Sequence, residues 1–263
     1  MCYNKAGKKM IQSIYLIQME SLISGGKACD GASAFLKKLE EEGMLYLILC
    51  EQCGRSRDHL ADYFQERGFR YVRPEYFYTS SMAAVDYASL KWPDKKRCGM
   101  IGGEGLKTAL EIGGFHTAPD QQDFLFVGMD RNLSCEDYSR YLQKLKQNGI
   151  IVSVDNRRMM ENEGEQMIGC GAVVRMLEYA SGKQSISFGR GSHGLLVQAL
   201  RYLHKDPDNV TYVGSSFKDD ISTAIEMNMQ TVLVTGGTSL SELGVTGEYH
   251  PDYIVENLIG LTK

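Results

Sequence analysis

Residues 13–26, SIYLIQMESLISGG, are a short apolar run that ends in a polar tip and a glycine turn, and their reading decides the fold. A continuous apolar run of this length, stopped by turn residues, reads as a strand buried on both faces. At its tip stand Gln18, Met19 and Glu20, an uncharged amide with a glutamate two residues on. Similar runs follow at LYLILC (45–50), CGMIGG (98–103), FLFVGMD (124–130), IIVSVD (150–155), SISFG (185–189), VTYVGSS (210–216) and TVLVTGG (231–237). Between them, GASAFLKKLEEEG, SRDHLADYFQERG, CEDYSRYLQKLKQNG and SHGLLVQALRYL carry apolar residues at three- and four-residue spacing, as amphipathic helices do. Gly43, Gly68 and Gly149, which close three of these segments, are expected to be helix C-caps. Strands alternating with helices imply an α/β fold with a parallel sheet, and the ligand site of such a sheet lies beyond the carboxyl ends of its strands.

The chain has 263 residues, 43% of them hydrophobic, enough for one large or two medium domains. Its 29 Lys and Arg against 33 Asp and Glu leave a net charge of −4, which offers no long-range attraction to nucleic acid or to anionic membranes. No apolar run approaches the roughly 20 residues that span a bilayer, and the start MCYNKAGKKMIQSIYLIQ, whose apolar stretch is short and interrupted, is not expected to act as a secretory signal. The seven scattered cysteines do not resemble a secreted disulfide framework, so a reducing, cytoplasmic setting is expected.

Read in order, the strand tips carry Gln18 and Glu20, then Cys50, then Arg190, then Ser215 with Asp219 and Asp220. With the segments YTSSMAAVDY, IGGEGLKTALEIGG, GMDRNLSCEDY and TVLVTGGTSLSEL, the chain resembles the haloacid dehalogenase superfamily over nearly its whole length. The resemblance is to the class IIA branch, the NagD-like and p-nitrophenyl-phosphatase-like proteins. It implies a Rossmann-like core from residues 1–80 and 184–263, with an inserted α/β cap over 81–183, pairing of two copies through the cap, and hydrolysis of small phosphomonoesters. It also implies an aspartate nucleophile in a DxDGT-like loop, a second aspartate two residues on as general acid, and a bound Mg2+ ion.

Aligned on that loop, Gln18 stands at the nucleophile, Glu20 at the general acid, and Ser21 and Leu22 at the glycine and threonine. A carboxamide has no anionic oxygen to attack phosphorus and is a weak ligand for a hard dication. In GSSFKDD, Ser215 replaces the first aspartate of the family's acidic motif and Asp220 remains, so the family's metal positions are Gln18, Glu20, Ser215 and Asp220, with magnesium weak or absent. The phosphate-binding positions fall on Cys50, Glu51, Gln52 and Arg190, the last replacing a lysine with a planar fork of donors. The expectation is a phosphatase scaffold that holds a small anionic or phosphorylated molecule, or a partner, without efficient turnover. A hydrolase working through Glu20, Asp219, Asp220 and Arg190 is the alternative.

Simpler readings stand beside these. Gln18 and Glu20 can cap the strand and hydrogen-bond the neighbouring loop. Cys50 and Cys53 form a C-x-x-C between strand and helix, a spacing that supports thiol–disulfide exchange in some proteins and plain packing in others. None of the five histidines has metal-ligand spacing, and His193 reads as a solvent-facing residue in the first turn of a helix. Gly25, Gly26 and Lys27 lack the spacing of a phosphate loop and fall where the family has its flap.

Overall fold

The structure is a computed structural model that describes residues 14–51, 54–162, 165–245 and 250–262. It divides into two compact units, one formed by 14–50, 58–78 and 199–262, the other by 51–57 and 79–198. Each is an α/β unit, as the alternation of strand and helix signals implies: a Rossmann-like core and a cap.

The core sheet has six strands in the order Tyr253–Val255, Gln230–Val234, Thr211–Gly214, Ile14–Gln18, Leu45–Cys50 and Phe77–Thr79. Ile14–Gln18 is central and entirely buried, and it pairs in parallel with both neighbours. Its apolar run is continuous because helices cover both faces of a parallel sheet. The helix Ala32–Glu41 sets Ala32, Phe35, Leu36 and Leu39 into that core, and Gly43 follows it in the left-handed conformation expected of a C-cap. Gly68 closes the turn after Arg57–Gln65 in the same way.

The cap sheet has five parallel strands in the order Ser185–Ser187, Leu145–Ser153, Gln122–Val127, Arg97–Ile101 and His116–Thr117. Ser134 opens the helix Cys135–Lys144 with a capping box, its hydroxyl accepting from Asp137 N at 3.2 Å while Asp137 Oδ2 accepts from Ser134 N at 2.9 Å. That reciprocal pair gives the GMDRNLSCEDY segment a structural reason.

Two expectations are corrected. Gly149 is no C-cap: the helix stops at Lys144, and Gly149 lies inside the strand Leu145–Ser153 beyond a register shift. Close approach favours glycine there, since a Cβ would stand 2.9 Å from the backbone carbonyl oxygen of Lys146 as well as 2.6 Å from Leu145 Cδ1. The boundary expected at residue 184 falls before a strand of the second unit, because Ser185–Ser187 pairs with Ile151–Ser153.

Among the described residues, Cys29, Cys50, Cys98, Cys135 and Cys170 are free thiols, and no helix is long and apolar enough to cross a membrane.

Glu178, buried on the helix Cys170–Ser181, fastens that edge strand. Its carboxylate accepts from the backbone N–H and hydroxyl of Ser185 at 2.8 and 2.7 Å, and from Arg175 Nη1 at 2.7 Å. Burial opposes its charge, but these donors outweigh burial and hold its pKa below the ordinary 4.5. A carboxylate depressed on folding contributes stability that is complete above its unfolded pKa and lost as pH falls through the folded one. Urea unfolding of the wild type is therefore expected to become easier as pH drops below 4.5. Glu178→Gln is expected to be less stable at neutral pH and to lose part of that acid dependence.

Candidate functional site

The register of the core sheet brings three strand tips together. Ile17 pairs with Val213 and Gln18 with Leu49, so Gln18 ends its strand beside the tips that carry Gly214 and Cys50. Gln18 is 1% exposed, and a buried carboxamide must place both its oxygen and its NH2 group on partners. Its Nε2 donates to Glu20 Oε2 at 2.9 Å, and its Oε1 accepts from the hydroxyl of Tyr212 at 3.2 Å. A carboxylate can only accept, so Glu20 fixes which way the amide faces, and the phenol then supplies the donor that the amide oxygen needs. Glu20 itself lies in the one-turn helix Met19–Ser21 that follows the strand.

Tyr212 is the site residue that the sequence reading missed. Its register partner is Leu16, two residues short of the tip, so it reads as one more apolar strand residue. The phenol is long enough to reach forward to Gln18. A phenol three residues before the polar tip at Ser215 is the signal that the sequence offers.

Asp220 is 1% exposed, and its Oδ2 accepts from the backbone N–H groups of Ser215 and Ser216 at 3.2 and 3.0 Å. Gly214 permits this approach, because a Cβ there would lie 2.7 Å from Asp220 Cβ. Asp219 is engaged elsewhere, in a cap. Ser216 Oγ donates to Asp219 Oδ2 at 3.0 Å and accepts from Asp219 N at 3.2 Å, closing the start of the turn Phe217–Ile221. Ser21 has a buried hydroxyl with no hydrogen-bond partner among the described residues.

Cys50 is fully buried, and its thiol donates to Met19 Sδ at 3.4 Å. A thiol enclosed in this way offers an incoming disulfide no exposed sulfur, which favours packing over exchange at this position. Cys53 and Gln52 lie outside the described residues. Glu51 is buried, and the structure groups it with the second unit.

Arg190 also belongs to the second unit, where Asn156 Nδ2 donates to its backbone carbonyl. Gly189 allows that contact, since a Cβ there would stand 2.5 Å from Asn156 N. His193 is an exposed residue at the start of the helix His193–Leu203, as its position implies. Gly25 and Gly26, both at positive φ, form the turn of a two-residue hairpin between Ile23–Ser24 and Lys27–Ala28, which is a flap and not a phosphate loop.

Donor chemistry at the tips decides what cation they could hold. Among the described residues, no group of three or more His, Cys, Asp and Glu side chains is disposed to bind a metal ion. Of Gln18, Glu20, Ser215 and Asp220 only Glu20 and Asp220 carry carboxylates, and one oxygen of each is already an acceptor within the protein.

Residues 20–116 match the family model described as haloacid dehalogenase-like hydrolase, and residues 187–261 match one described as HAD-hydrolase-like. The chain is 24% identical over 245 residues to the 5'-nucleotidase YutF of Bacillus subtilis, covering 93% of this chain and 95% of the relative. A mutant of the thermostable p-nitrophenylphosphatase from Bacillus stearothermophilus superposes with a TM-score of 0.84 at 26% identity, over 94% of this chain and 97% of that one. NagD from E. coli K-12 shares the fold, with a TM-score of 0.85 at 22% identity over 95% and 98% of the two chains. The chain belongs to the haloacid dehalogenase superfamily, in the class IIA branch with NagD and the p-nitrophenylphosphatases.

Two substitutions separate the partnered hydroxyl from the unpartnered one. Tyr212→Phe removes the donor to a buried oxygen and is expected to cost about 1 kcal/mol in urea unfolding. Ser21→Ala deletes a hydroxyl that makes no bond and is expected to leave stability unchanged or raise it by about 1 kcal/mol.

Proposed function

We infer that this class IIA chain binds a small anionic or phosphorylated molecule through a phosphatase scaffold and does not hydrolyse it efficiently. The observation that carries this reading is the buried Gln18 carboxamide, held between Tyr212 and Glu20 at the family's nucleophile position. A neutral amide cannot displace a leaving group from phosphorus, so no phosphoenzyme forms on it. Loss of a nucleophile costs a factor on the order of 10⁶ in turnover in a well-studied hydrolase.

Phosphatases of this superfamily generally use Mg2+, which would neutralise phosphate charge. The tips of this chain do not fit that ion. Magnesium favours carboxylate and water oxygens in strict octahedral geometry, whereas Gln18 is neutral with its oxygen bonded to Tyr212, and Ser215 offers at most a hydroxyl. Carrying the ligand class over from the named nucleotidase and p-nitrophenylphosphatase supports a small phosphomonoester. The family pattern assigns the anion's cationic partner to Arg190, whose backbone carbonyl accepts from Asn156 Nδ2 within the second unit. The free cysteines support a reducing, cytoplasmic setting.

The test compares wild type with Gln18→Asp plus Ser215→Asp, with and without Tyr212→Phe, for magnesium-dependent release of p-nitrophenol from p-nitrophenyl phosphate. Wild type is expected to show no magnesium-dependent turnover while p-nitrophenyl phosphate still raises its melting temperature, by an amount that grows with ligand concentration. The restored carboxylates are expected to gain turnover, most of all once the Tyr212 hydroxyl no longer holds the tip. Magnesium-dependent turnover by the wild type would overturn the reading.

A further inference from the structure

The hairpin that follows the Gln18 tip is too small to hold itself in place. Its strands, Ile23–Ser24 and Lys27–Ala28, have two residues each and are joined by Gly25 and Gly26. Ile23 is buried, whereas every residue from Ser24 to Ala28 is exposed. An isolated two-stranded hairpin is marginal in water even when longer, because ordering the chain costs more than so short a ladder contributes. Its position has to be fixed by a contact outside the ladder.

Arg67, from the same compact unit, makes that contact. Its Nε donates to the carbonyl of Gly26, at the turn of the hairpin, at 2.9 Å, and its Nη1 donates to the carbonyl of Tyr63 at 2.7 Å. The guanidinium carbon lies 3.5 Å from the centre of the Tyr63 ring, so the group is held by the ring as well as by its hydrogen bonds. The backbone behind it is anchored. Arg67 N donates to the carbonyl of Phe64 at 2.9 Å, and the fully buried Phe64 ring packs 5.0 Å from that of Phe69. A fixed helix end thus reaches a turn 41 positions away.

The base of the hairpin leads back to the strand tip. Cys29 N donates to the Leu22 carbonyl at 2.8 Å, and Leu22 N donates to the Met19 carbonyl at 2.9 Å, which joins the hairpin to the one-turn helix Met19–Ser21. That helix carries Glu20, the acceptor for the Gln18 amide.

We propose that Arg67 is a clasp on this hairpin. With the clasp shut, the hairpin holds the one-turn helix where Glu20 meets Gln18; when it opens, the hairpin and Glu20 loosen as one unit. Arg67 is therefore a positioning residue that acts on the tip through the hairpin. The device belongs to the free protein and does not depend on whether the tips hold a phosphorylated molecule.

Hydrogen exchange followed by NMR on the full chain tests it, because exchange reports local opening. In Arg67→Ala, the Cys29 amide and the side-chain NH2 of Gln18 are each expected to exchange about tenfold faster, the factor that loss of one charge-assisted hydrogen bond gives. The amides of the neighbouring strand Thr211–Gly214 are expected to keep their wild-type rates. Arg67→Lys retains the charge and the aliphatic stem, so it repeats the test with less risk to folding. It lacks the planar fork that bonds Gly26 and Tyr63 at once, and it is expected to speed both groups by a smaller factor. An unchanged Cys29 rate in Arg67→Ala would overturn the proposal. So would a faster Cys29 with an unchanged Gln18 NH2 group, which would separate the hairpin from the tip. Equal acceleration of Cys29 and of Thr211–Gly214 would also overturn it, since that reports a loss of global stability.

Discussion

A carboxamide buried at the end of a central parallel strand has to find a donor for its oxygen and an acceptor for its nitrogen, and the core of this protein is arranged around that demand. Leaving either end unpaired costs about 1–3 kcal/mol, a sizeable part of a domain's net stability. Gln18 meets the demand with Glu20 from the following turn and Tyr212 from the adjacent strand. Two neighbouring strands and the turn that follows one of them are thereby tied by side-chain hydrogen bonds beyond the sheet's own ladder. The second acidic position is settled in the same manner, with Asp220 held by two backbone N–H groups at the tip of the Tyr212 strand.

These arrangements bear on chemistry because an acceptor already engaged by a protein donor is a poorer ligand for a metal. Gln18, Glu20, Asp219 and Asp220 each spend a polar atom on a partner within the protein. Gln18 is bonded rather than nucleophilic, and Asp219 serves a turn. Cys50 packs its thiol against Met19.

What was legible in the sequence follows from the range of the physics involved. Continuous apolar strands and amphipathic helices are local patterns, so the parallel α/β architecture and Gly43 and Gly68 as C-caps could be read directly. Gly149 misled because a glycine after a helical pattern is compatible with a cap and with a close approach, and only the packing of Leu145 separates them. The 184 boundary misled for a related reason, since which sheet a three-residue strand joins depends on partners far away in sequence. Gln18, Glu20, Ser215 and Asp220 were found through the family pattern, but Tyr212 was not, because its contact with Gln18 spans 194 positions and exists only through strand pairing.

The two neutral substitutions at the tips belong together for an electrostatic reason. Four carboxylates converging where three strands end would repel one another strongly unless a dication sat among them, because like charges a few ångströms apart in a partly desolvated site cannot all stay ionised. A site that gives up its cation therefore has to give up charge as well, or raise the pKa of what remains. If the family's four positions fall on Gln18, Glu20, Ser215 and Asp220, two of the four charges are gone, and the two carboxylates present are each stabilised by N–H donors: Glu20 by the Gln18 amide and Asp220 by Ser215 and Ser216. Restoring one aspartate alone would bring back repulsion without a complete ligand set. On this argument the hydrogen-bonded tip is a second self-consistent solution to the same strand geometry, and passage between the two solutions requires paired changes.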